Sequence, residues 1–196
     1  MARQQDAMPY LRSNEGGWSY VPGDKGGMTY VGISRVMHPE WEGWRLIDLL
    51  NLPVHDAHAC NAILDANVQI QALVFQFYAT HYWAYDGLQS QDVATKLFDG
   101  AVNMQGGGKS GPAIMALQRA IGCQPVNTVP IDGQYGPNTE NMANRCEPDS
   151  LLQDLARFYV LHYNAILVAH PNDEKFRAGW LARAVKLPSD GMAVGA

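Results

Sequence analysis

The chain has 196 residues, of which 47% are hydrophobic, enough for one domain or for two small lobes that share a core. Lys and Arg number 14 against 19 Asp and Glu, so the formal net charge is −5. This balance, without a basic run of five or more residues, argues against nucleic acid or an anionic lipid surface as the main partner.

The N-terminal part of the sequence predicts a helix followed by the one convincing β element. Residues 2–15 are predicted to form a helix that ends at Gly16-Gly17, because glycine readily takes the left-handed conformation after a helix. Residues 18–33 place aromatic and β-branched residues on both sides of a Pro/Gly-rich turn, which predicts a hairpin of two short strands. Glu15 would then lie in the last helical turn and face the hairpin.

The rest of the sequence predicts helices, because apolar residues recur at helical spacing between Pro, Gly and capping residues. Pro39 is placed in a first helical turn, Ser90 is expected to cap a helix, and Asp149-Ser150 to open another. The predicted helices are residues 39–50, 55–83 as one broken helix or two, 90–103, 110–122, 149–170 and 173–186. The fold class is therefore mainly α, with one small β-hairpin beside a groove.

Glu15, Asp24 and Thr29 form a candidate catalytic set for cutting a bond between two sugars. Such hydrolysis needs a proton donor for the leaving oxygen and a second group at the anomeric carbon, commonly two carboxyl groups. Apolar neighbours and a helix C-terminus both favour the protonated acid, so Glu15 is the expected donor. Asp24, in a polar turn, is the expected base, and Thr29 could hold the attacking water. On spacing alone, Asp24 could also be an ordinary turn residue, and Glu15 could be a solvated residue at a helix end.

Several segments carry a resemblance to a known family over nearly the whole chain. They are Leu11-Arg12-Ser13-Asn14-Glu15-Gly16-Gly17-Trp18, Pro22-Gly23-Asp24-Lys25-Gly26-Gly27-Met28-Thr29-Tyr30-Val31-Gly32-Ile33, Tyr82-Trp83, Phe98-Asp99-Gly100-Ala101-Val102-Asn103, Leu117-Gln118-Arg119-Ala120-Ile121-Gly122, Ile131-Asp132-Gly133-Gln134-Tyr135-Gly136-Pro137-Asn138-Thr139 and Gly179-Trp180-Leu181-Ala182-Arg183. Together they closely resemble glycoside hydrolase family 108, the lysozyme-like N-acetylmuramidases of phage endolysins and bacterial muramidases.

The resemblance implies a lysozyme-like helical globule that cleaves the β-1,4 bond between N-acetylmuramic acid and N-acetylglucosamine. It implies Glu15 as the catalytic acid, with Asp24 and Thr29 as its partners, and it requires no metal or cofactor. Residues 1–95 would form the catalytic region and residues 96–187 a predicted peptidoglycan-binding region packed on it. Residues 188–196 would be a flexible tail.

A further set of residues is expected to contact peptidoglycan glycan strands. The set is Trp18, Tyr20, Tyr30, Asp99, Asn103 and Arg183. The three aromatic residues could stack on sugar faces, although each is also a plausible core residue. Asn103 could bond a sugar acetamide or cap its helix, and Arg183 could pair with a carboxylate near the site or only brace the fold.

Other patterns in the sequence allow alternatives to a glycosidase. His55 and His58, with Asp56 between them, share a helix face and could ligate zinc in a cell-wall amidase or peptidase, but no third ligand has a recognisable spacing. A non-catalytic peptidoglycan-binding protein is the other alternative. The run from Gly106 to Gly111 resembles the end of a phosphate-binding loop, but the strand that precedes such a loop is missing, which argues against nucleotide binding. Residues 52–66 match no family motif.

The remaining expectations concern redox state, assembly and location. Three widely spaced cysteines are expected to be buried free thiols, with a Cys123–Cys146 disulfide as the alternative. The N-terminus lacks an apolar signal core, and no apolar run is long enough to span a membrane. We therefore expect a monomer that is made in the cytoplasm and reaches peptidoglycan in the periplasm or cell wall through a holin or a secretion system. A phage endolysin, a secreted effector and an export-assisting muramidase all fit.

Overall fold

A computed structural model describes residues 1–20, 27–104, 106–126 and 128–191 of the chain. These residues are mainly helical and include a small antiparallel sheet, so the predicted fold class is confirmed. The helices are α1 (Gln4–Glu15), α2 (Gly43–Leu49), α3 (Ala57–Asp65), α4 (Val68–His81), α5 (Gln91–Asn103), α6 (Pro112–Gly122), α7 (Pro137–Ala143), α8 (Pro148–Ala169) and α9 (Arg177–Val185). The strands are β1 (Trp18–Tyr20), β2 (Met28–Tyr30) and β3 (Ile33–Ser34), and 3-10 turns cover Pro171–Phe176 and Pro188–Gly191.

The chain divides into two compact units. The first unit comprises residues 1–10 and 81–196, and the second comprises residues 11–80. In the first unit, α8 packs against α6 and α9, and α5 packs against α6 and α8. In the second unit, β1 packs against α3 as well as pairing with β2. The division into functional regions at residue 95 stays a prediction.

The sheet has the order β1-β2-β3, with both pairs of neighbours antiparallel. Trp18 pairs with Tyr30, which in turn pairs with Ile33, and all three side chains are buried. Because side chains alternate between the two faces of a strand, Ser19, Thr29 and Ser34 form a row of hydroxyl residues on the opposite face. The sheet therefore has one core face and one polar face.

The strand β3 was not predicted, because the sequence analysis ended the β element at residue 33. Val31 and Gly32 both take left-handed backbone conformations, with φ values of 45° and 74°, and turn the chain back along β2. Glycine adopts this conformation freely, but a β-branched residue such as Val31 does so only under constraint from its surroundings. The turn is a tertiary feature that strand propensity alone does not specify.

Two helix starts differ from the predicted ones. Helix α2 begins at Gly43, although Pro39 was expected in its first turn. The Trp41 ring lies against the Gly43 backbone, where a Cβ atom would meet ring carbons at 2.2–2.5 Å, so this packing separates the residues before Gly43 from the helix. Helix α8 begins at Pro148 with Glu147 as its cap, because the Glu147 carboxylate accepts the N–H of Ser150 at 2.8 Å.

Capping side chains explain two other helix boundaries. The segment predicted as one broken helix or two is two helices, because the Asn67 side chain accepts the N–H groups of Gln69 and Ile70, both at 3.1 Å, and begins α4. The predicted cap of α5 is confirmed, since the Ser90 hydroxyl accepts the N–H of Val93 at 3.3 Å.

The cysteines are free thiols, as the sequence analysis expected. Cys60 and Cys146 are buried, and burial raises the pKa of both thiols above its usual range. Cys123 is exposed, which differs from the expected burial, because it follows the last residue of α6. The predicted C-terminal tail begins with the 3-10 turn Pro188–Gly191, and residues 192–196 lie outside the described ranges.

Candidate functional site

Glu15 is the last residue of α1, as predicted, and its side chain is half-buried. The helix ends there because Gly16 takes a left-handed conformation with φ of 73° while its N–H donates to the Arg12 carbonyl at 3.0 Å. The chain then enters β1 at Trp18. The acid therefore projects from the rigid end of a helix whose exit is fixed by a glycine.

The turn between β2 and β3 lies directly against the Glu15 carboxyl group. A Cβ atom on Gly32 would lie 2.5 Å from Glu15 Oε2 and 2.7 Å from the Tyr78 hydroxyl oxygen. Both oxygens therefore border the position that a Gly32 side chain would occupy. Tyr78 comes from α4, is buried, and donates its hydroxyl hydrogen to the Val31 carbonyl at 2.6 Å.

The other two members of the predicted catalytic set lie on the hairpin. Thr29 is the central residue of β2, between Ser19 and Ser34 in the polar row, and its side chain is half-buried. Asp24 lies outside the residues that the structure describes. The structure thus places Glu15 and Thr29 in the same unit, and the position of Asp24 stays a prediction.

Of the three aromatic residues expected to stack on sugar, two lie in the interior. Trp18 is 4% exposed and its indole N–H donates to the Val54 carbonyl at 3.0 Å. Tyr30 is fully buried. Stacking of a sugar on either ring would require the sheet to rearrange, because both rings point to its core face. Tyr20 is half-buried and contacts the His55 ring, with 5.4 Å between ring centroids.

Tyr30 instead forms the centre of a polar network in the second unit. Its hydroxyl donates to Asp65 at 2.7 Å and accepts from Gln71 at 2.8 Å and from Arg12 at 3.4 Å. Arg12 also forms an ion pair with Asp65 at 2.9 Å and a hydrogen bond with Gln71. Burial, followed by the hydrogen bond to Asp65, raises the pKa of Tyr30 to about 12. The network joins α1, β2, α3 and α4.

The segment 52–66, which matched no motif, supports the hairpin. The Asn61 side chain accepts the backbone N–H of Trp18 at 2.7 Å, and Val54 accepts its indole N–H. Asp65 binds the Tyr30 hydroxyl, as described above. Asn61 and Asp65 are spaced four residues apart on α3, so they share one helix face. This spacing of polar residues was the sequence signal that could have indicated contacts with β1 and β2.

The remaining predicted contact residues, Asp99, Asn103 and Arg183, belong to the first unit. Arg183 donates to both oxygens of Asp99, with a shortest distance of 2.8 Å, and the Asp99 side chain is only 3% exposed. Asn103 accepts a hydrogen bond from the Tyr163 hydroxyl. This buried ion pair joins α5 to α9 and braces the first unit, and the expected contacts of these three residues with the glycan stay a prediction.

The predicted peptidoglycan-binding loop is organised by one buried glutamine. Gln118 donates to Asp132 at 2.7 Å and accepts the N–H of Gly133 at 2.9 Å. The Gln134 N–H, followed by Gln118, lowers the pKa of Asp132 below its usual range. Gly136 is the N-cap of α7, and Asn138 and Thr139 lie inside the helix.

Within the described ranges, no three His, Cys, Asp or Glu side chains converge in a way that could hold a metal ion. His55, one of the two candidate zinc ligands, pairs with the Tyr20 ring. Among the helices that the structure describes, none is both long and apolar enough to cross a bilayer.

The arrangement around Glu15 suits proton transfer to a bound substrate. A half-buried acid at a helix end can deliver a proton to a group bound beside it. Tyr78 is the neighbour that sequence reasoning did not assign to the site. Tyr78 lies in the core, and the spacing of apolar residues along α4 carries no information about the target of its hydroxyl group.

Comparison with known proteins points to one family. The sequence model of glycosyl hydrolase 108 matches residues 8–105, a region that includes Glu15, Thr29 and Tyr78. A solved structure, titled "Structure of Brucella abortus SagA", is 27% identical to this chain, with a TM-score of 0.59, and the similarity covers 97% of this chain and 94% of that one. No curated protein matches the sequence significantly.

Proposed function

Because the chain belongs to glycosyl hydrolase family 108, we propose that it hydrolyses the β-1,4 bond between N-acetylmuramic acid and N-acetylglucosamine in peptidoglycan. It would thus be a lysozyme-type muramidase. The observation that carries this proposal is the position of Glu15, a half-buried acid at the end of α1 that contacts the turn leaving β2. A helix end next to a short sheet is a suitable place for a proton donor that meets a glycan.

In the proposed mechanism, Glu15 gives its proton to the glycosidic oxygen as the bond to the anomeric carbon breaks. A water molecule attacks that carbon and loses a proton to Asp24, while Thr29 holds the water. If Asp24 acts through water, the two carboxyl groups lie about 6.5–9.5 Å apart and the anomeric configuration inverts. A separation of about 5 Å would instead accompany a covalent intermediate and retention.

Binding of the glycan is proposed to depend on hydrogen bonds and stacking more than on bulk charge. The protein carries a formal net charge of −5, and bacterial cell wall is itself anionic, so long-range attraction does not favour the complex. Tyr20 is partly accessible, and the hydroxyl row Ser19, Thr29 and Ser34 lies on the face of the sheet opposite the core. These groups suit the hydroxyl and acetamide groups of a sugar chain.

The cellular role is proposed to be lysis or remodelling of the bacterial cell wall by a monomeric enzyme. The enzyme would be made in the cytoplasm and act in the periplasm or cell wall after release through a holin or a secretion system. A phage endolysin, a secreted effector and an export-assisting muramidase would share this chemistry.

Product analysis of digested peptidoglycan tests the proposed bond specificity. Purified sacculi are incubated with the enzyme, with and without a metal chelator, and the soluble fragments are analysed by mass spectrometry after borohydride reduction. We expect fragments with reduced N-acetylmuramic acid ends, in equal yield with and without chelator. Reduced N-acetylglucosamine ends would contradict the bond assignment.

Two other outcomes would identify a different protein class. Free peptide stems released only without chelator would indicate a zinc-dependent amidase or peptidase. Binding to sacculi without any soluble product would indicate a non-catalytic wall-binding protein. Either result would overturn the muramidase proposal.

A further inference from the structure

We infer that Tyr78 and Gly32 are positioning residues for the catalytic acid: Tyr78 fixes the Val31–Gly32 turn, and the bare Gly32 backbone seats the Glu15 carboxyl group. The inference rests on the proposed role of Glu15. Neither residue would touch the substrate, and each acts through the position of the acid.

The first step of the inference is the close contact at Gly32. A Cβ atom there would lie 2.5 Å from Glu15 Oε2, 3.0 Å from Glu15 Cδ and 2.7 Å from the Tyr78 hydroxyl oxygen. These distances are shorter than van der Waals contact, so any side chain at this position would displace the carboxyl group, the tyrosine or both. Only glycine allows the acid to lie where it does.

The second step is the backbone conformation of the turn. Val31 and Gly32 are two successive left-handed residues, and Val31 is β-branched and fully buried. A left-handed conformation is unfavourable for such a residue and persists only when neighbouring groups over-determine it. The Val31 N–H donates to the Gly17 carbonyl at 3.2 Å, which links the turn to the residues that follow Glu15.

The third step is the hydroxyl group of Tyr78, which supplies the other constraint on the turn. It donates to the Val31 carbonyl at 2.6 Å from a side chain that is 1% exposed. Burial leaves little competition from water, so the bond fixes the orientation of the Val31–Gly32 peptide group. The same hydroxyl borders the space that the Glu15 carboxyl group occupies. The Tyr78 hydroxyl group of α4 therefore helps to position both the turn and the Glu15 carboxyl group.

The functional consequence follows from the geometry that proton transfer requires. A general acid must come within hydrogen-bond distance of the atom that it protonates, and a shift of about 1 Å can reduce a rate by about a hundredfold. A Glu15 carboxyl group that is held less firmly should therefore lower kcat. It should leave KM nearly unchanged, because the glycan contacts proposed above do not include Tyr78 or Gly32.

The first test removes the Tyr78 hydroxyl group and compares this variant with a matched tyrosine. Tyr10→Phe is the control, because the Tyr10 hydroxyl also donates from a buried side chain to a backbone carbonyl, that of Lys186 at 2.7 Å, and belongs to α1 itself. On soluble glycan strands, we expect kcat of Tyr78→Phe to fall at least tenfold with KM within about twofold, a barrier change of about 1.4 kcal/mol. Tyr10→Phe should retain kcat while losing comparable thermal stability.

The second test adds a methyl group at Gly32. Gly16→Ala is its control, because Gly16 has φ of 73°, close to the 74° of Gly32, but a Cβ atom there meets nothing within 4 Å beyond its chain neighbours. Both variants should therefore carry the same backbone penalty. We expect Gly32→Ala to lose kcat more than tenfold relative to Gly16→Ala.

A spectroscopic measurement keeps this inference separate from the proposed function. The ¹³C resonance of the Glu15 carboxyl carbon, assigned by its loss in Glu15→Gln, is recorded in all variants. We expect it to move in Tyr78→Phe and Gly32→Ala and to stay in place in Tyr10→Phe. If the resonance moves but neither the unmodified enzyme nor any variant cleaves glycan, the positioning role of Tyr78 and Gly32 is supported and the proposed function is refuted. If the enzyme cleaves glycan while Tyr78→Phe retains both kcat and the resonance, the positioning role is refuted.

Discussion

At the scale of single residues, the site depends on a few contacts whose partners are distant in the sequence. The Glu15 carboxyl group and the Tyr78 hydroxyl group of α4 border the same position at Gly32, in the β2–β3 turn. The Gly16-Gly17 stop signal predicted that Glu15 ends a helix, and this is confirmed. That signal does not predict that Glu15 and Tyr78 border the same glycine, because this depends on how α1, α4 and the turn pack.

Thr29 provides the residue-scale prediction. Thr29→Val keeps the β-branched shape that suits a strand but removes the hydroxyl group, so the strand should persist while the attacking water loses a partner. We expect kcat/KM on glycan strands to fall by roughly tenfold or more, about 1.4 kcal/mol in the barrier.

The control for this variant is Ser19→Ala, which removes the neighbouring hydroxyl of the polar row from β1. It should retain kcat, because Ser19 is proposed to contact the glycan and not the attacking water. Equal losses of activity in Thr29→Val and Ser19→Ala would mean that Thr29 has no role beyond that of any hydroxyl group on the polar face. Full activity in Thr29→Val would exclude the proposed role of Thr29.

At the scale of secondary-structure elements, the second unit depends on polar bonds between α1, β2, α3 and α4. Tyr30 was predicted to be a sugar contact or a core residue, and the register of β2 places it on the core face opposite Trp18. The alternation of side chains along the strand was visible in the sequence. The sequence did not show which face of the strand would be buried, because the partner helix α3 comes from a segment without a recognisable motif.

Tyr30→Phe tests this network. The substitution keeps the buried ring but leaves Asp65 and Gln71 without the hydroxyl partner, so we expect the free energy of unfolding to fall by about 1–3 kcal/mol. Urea titration followed by circular dichroism should show a lower midpoint with an unchanged slope. Tyr20→Phe, on the same sheet but half-buried, should change the midpoint little, and equal losses in both would contradict the role of the network.

The ion pair between α5 and α9 gives a second element-scale prediction. Arg183→Met leaves the Asp99 carboxylate buried without its cation, so we expect a loss of about 3–5 kcal/mol. Arg177→Met, which breaks the exposed pair with Glu174, should cost less than about 1 kcal/mol. Chemical denaturation of both variants compares the two pairs. A loss below about 1 kcal/mol for Arg183→Met would show that the buried pair contributes little to the fold.

At the scale of the whole molecule, buried tyrosines link stability to alkaline pH. Burial is the largest cause that raises the pKa of Tyr30, Tyr85, Tyr135 and Tyr159 above the ordinary value of 10.0, and that of Tyr30 reaches about 12. The neutral phenol is thus favoured in the folded state. Its contribution to stability is complete below pH 10.0 and is lost as the pH rises through the folded-state pKa.

We therefore expect a two-phase tyrosine titration of the folded protein. Phenolate absorbance should rise near the ordinary pKa for accessible tyrosines, and again at higher pH together with the loss of helical circular dichroism. A single phase near pH 10.0, with helical structure intact, would contradict the raised pKa of these four tyrosines.

The sequence predicted the whole-molecule architecture better than its internal boundaries. Gly16 and Ser90 end and begin helices where expected, because each acts locally through backbone conformation or capping. The start of α2 at Gly43 and the strand β3 were missed, because the first depends on the packing of Trp41 and the second on a turn held by Tyr78. Local signals are readable in a sequence, whereas contacts between distant residues are not.

The most direct test of the central claim compares Glu15→Gln with Glu140→Gln in the rate of glycan cleavage. Glu140 is a close match for Glu15: it is half-buried, lies against the Gly87 backbone and accepts a hydrogen bond from the Tyr135 hydroxyl at 3.0 Å. Because glutamine cannot donate the proton, we expect Glu15→Gln to lose at least about a hundredfold in kcat, while Glu140→Gln retains most of it. A Glu15→Gln enzyme that cleaves glycan strands at the rate of the unmodified protein would contradict the account.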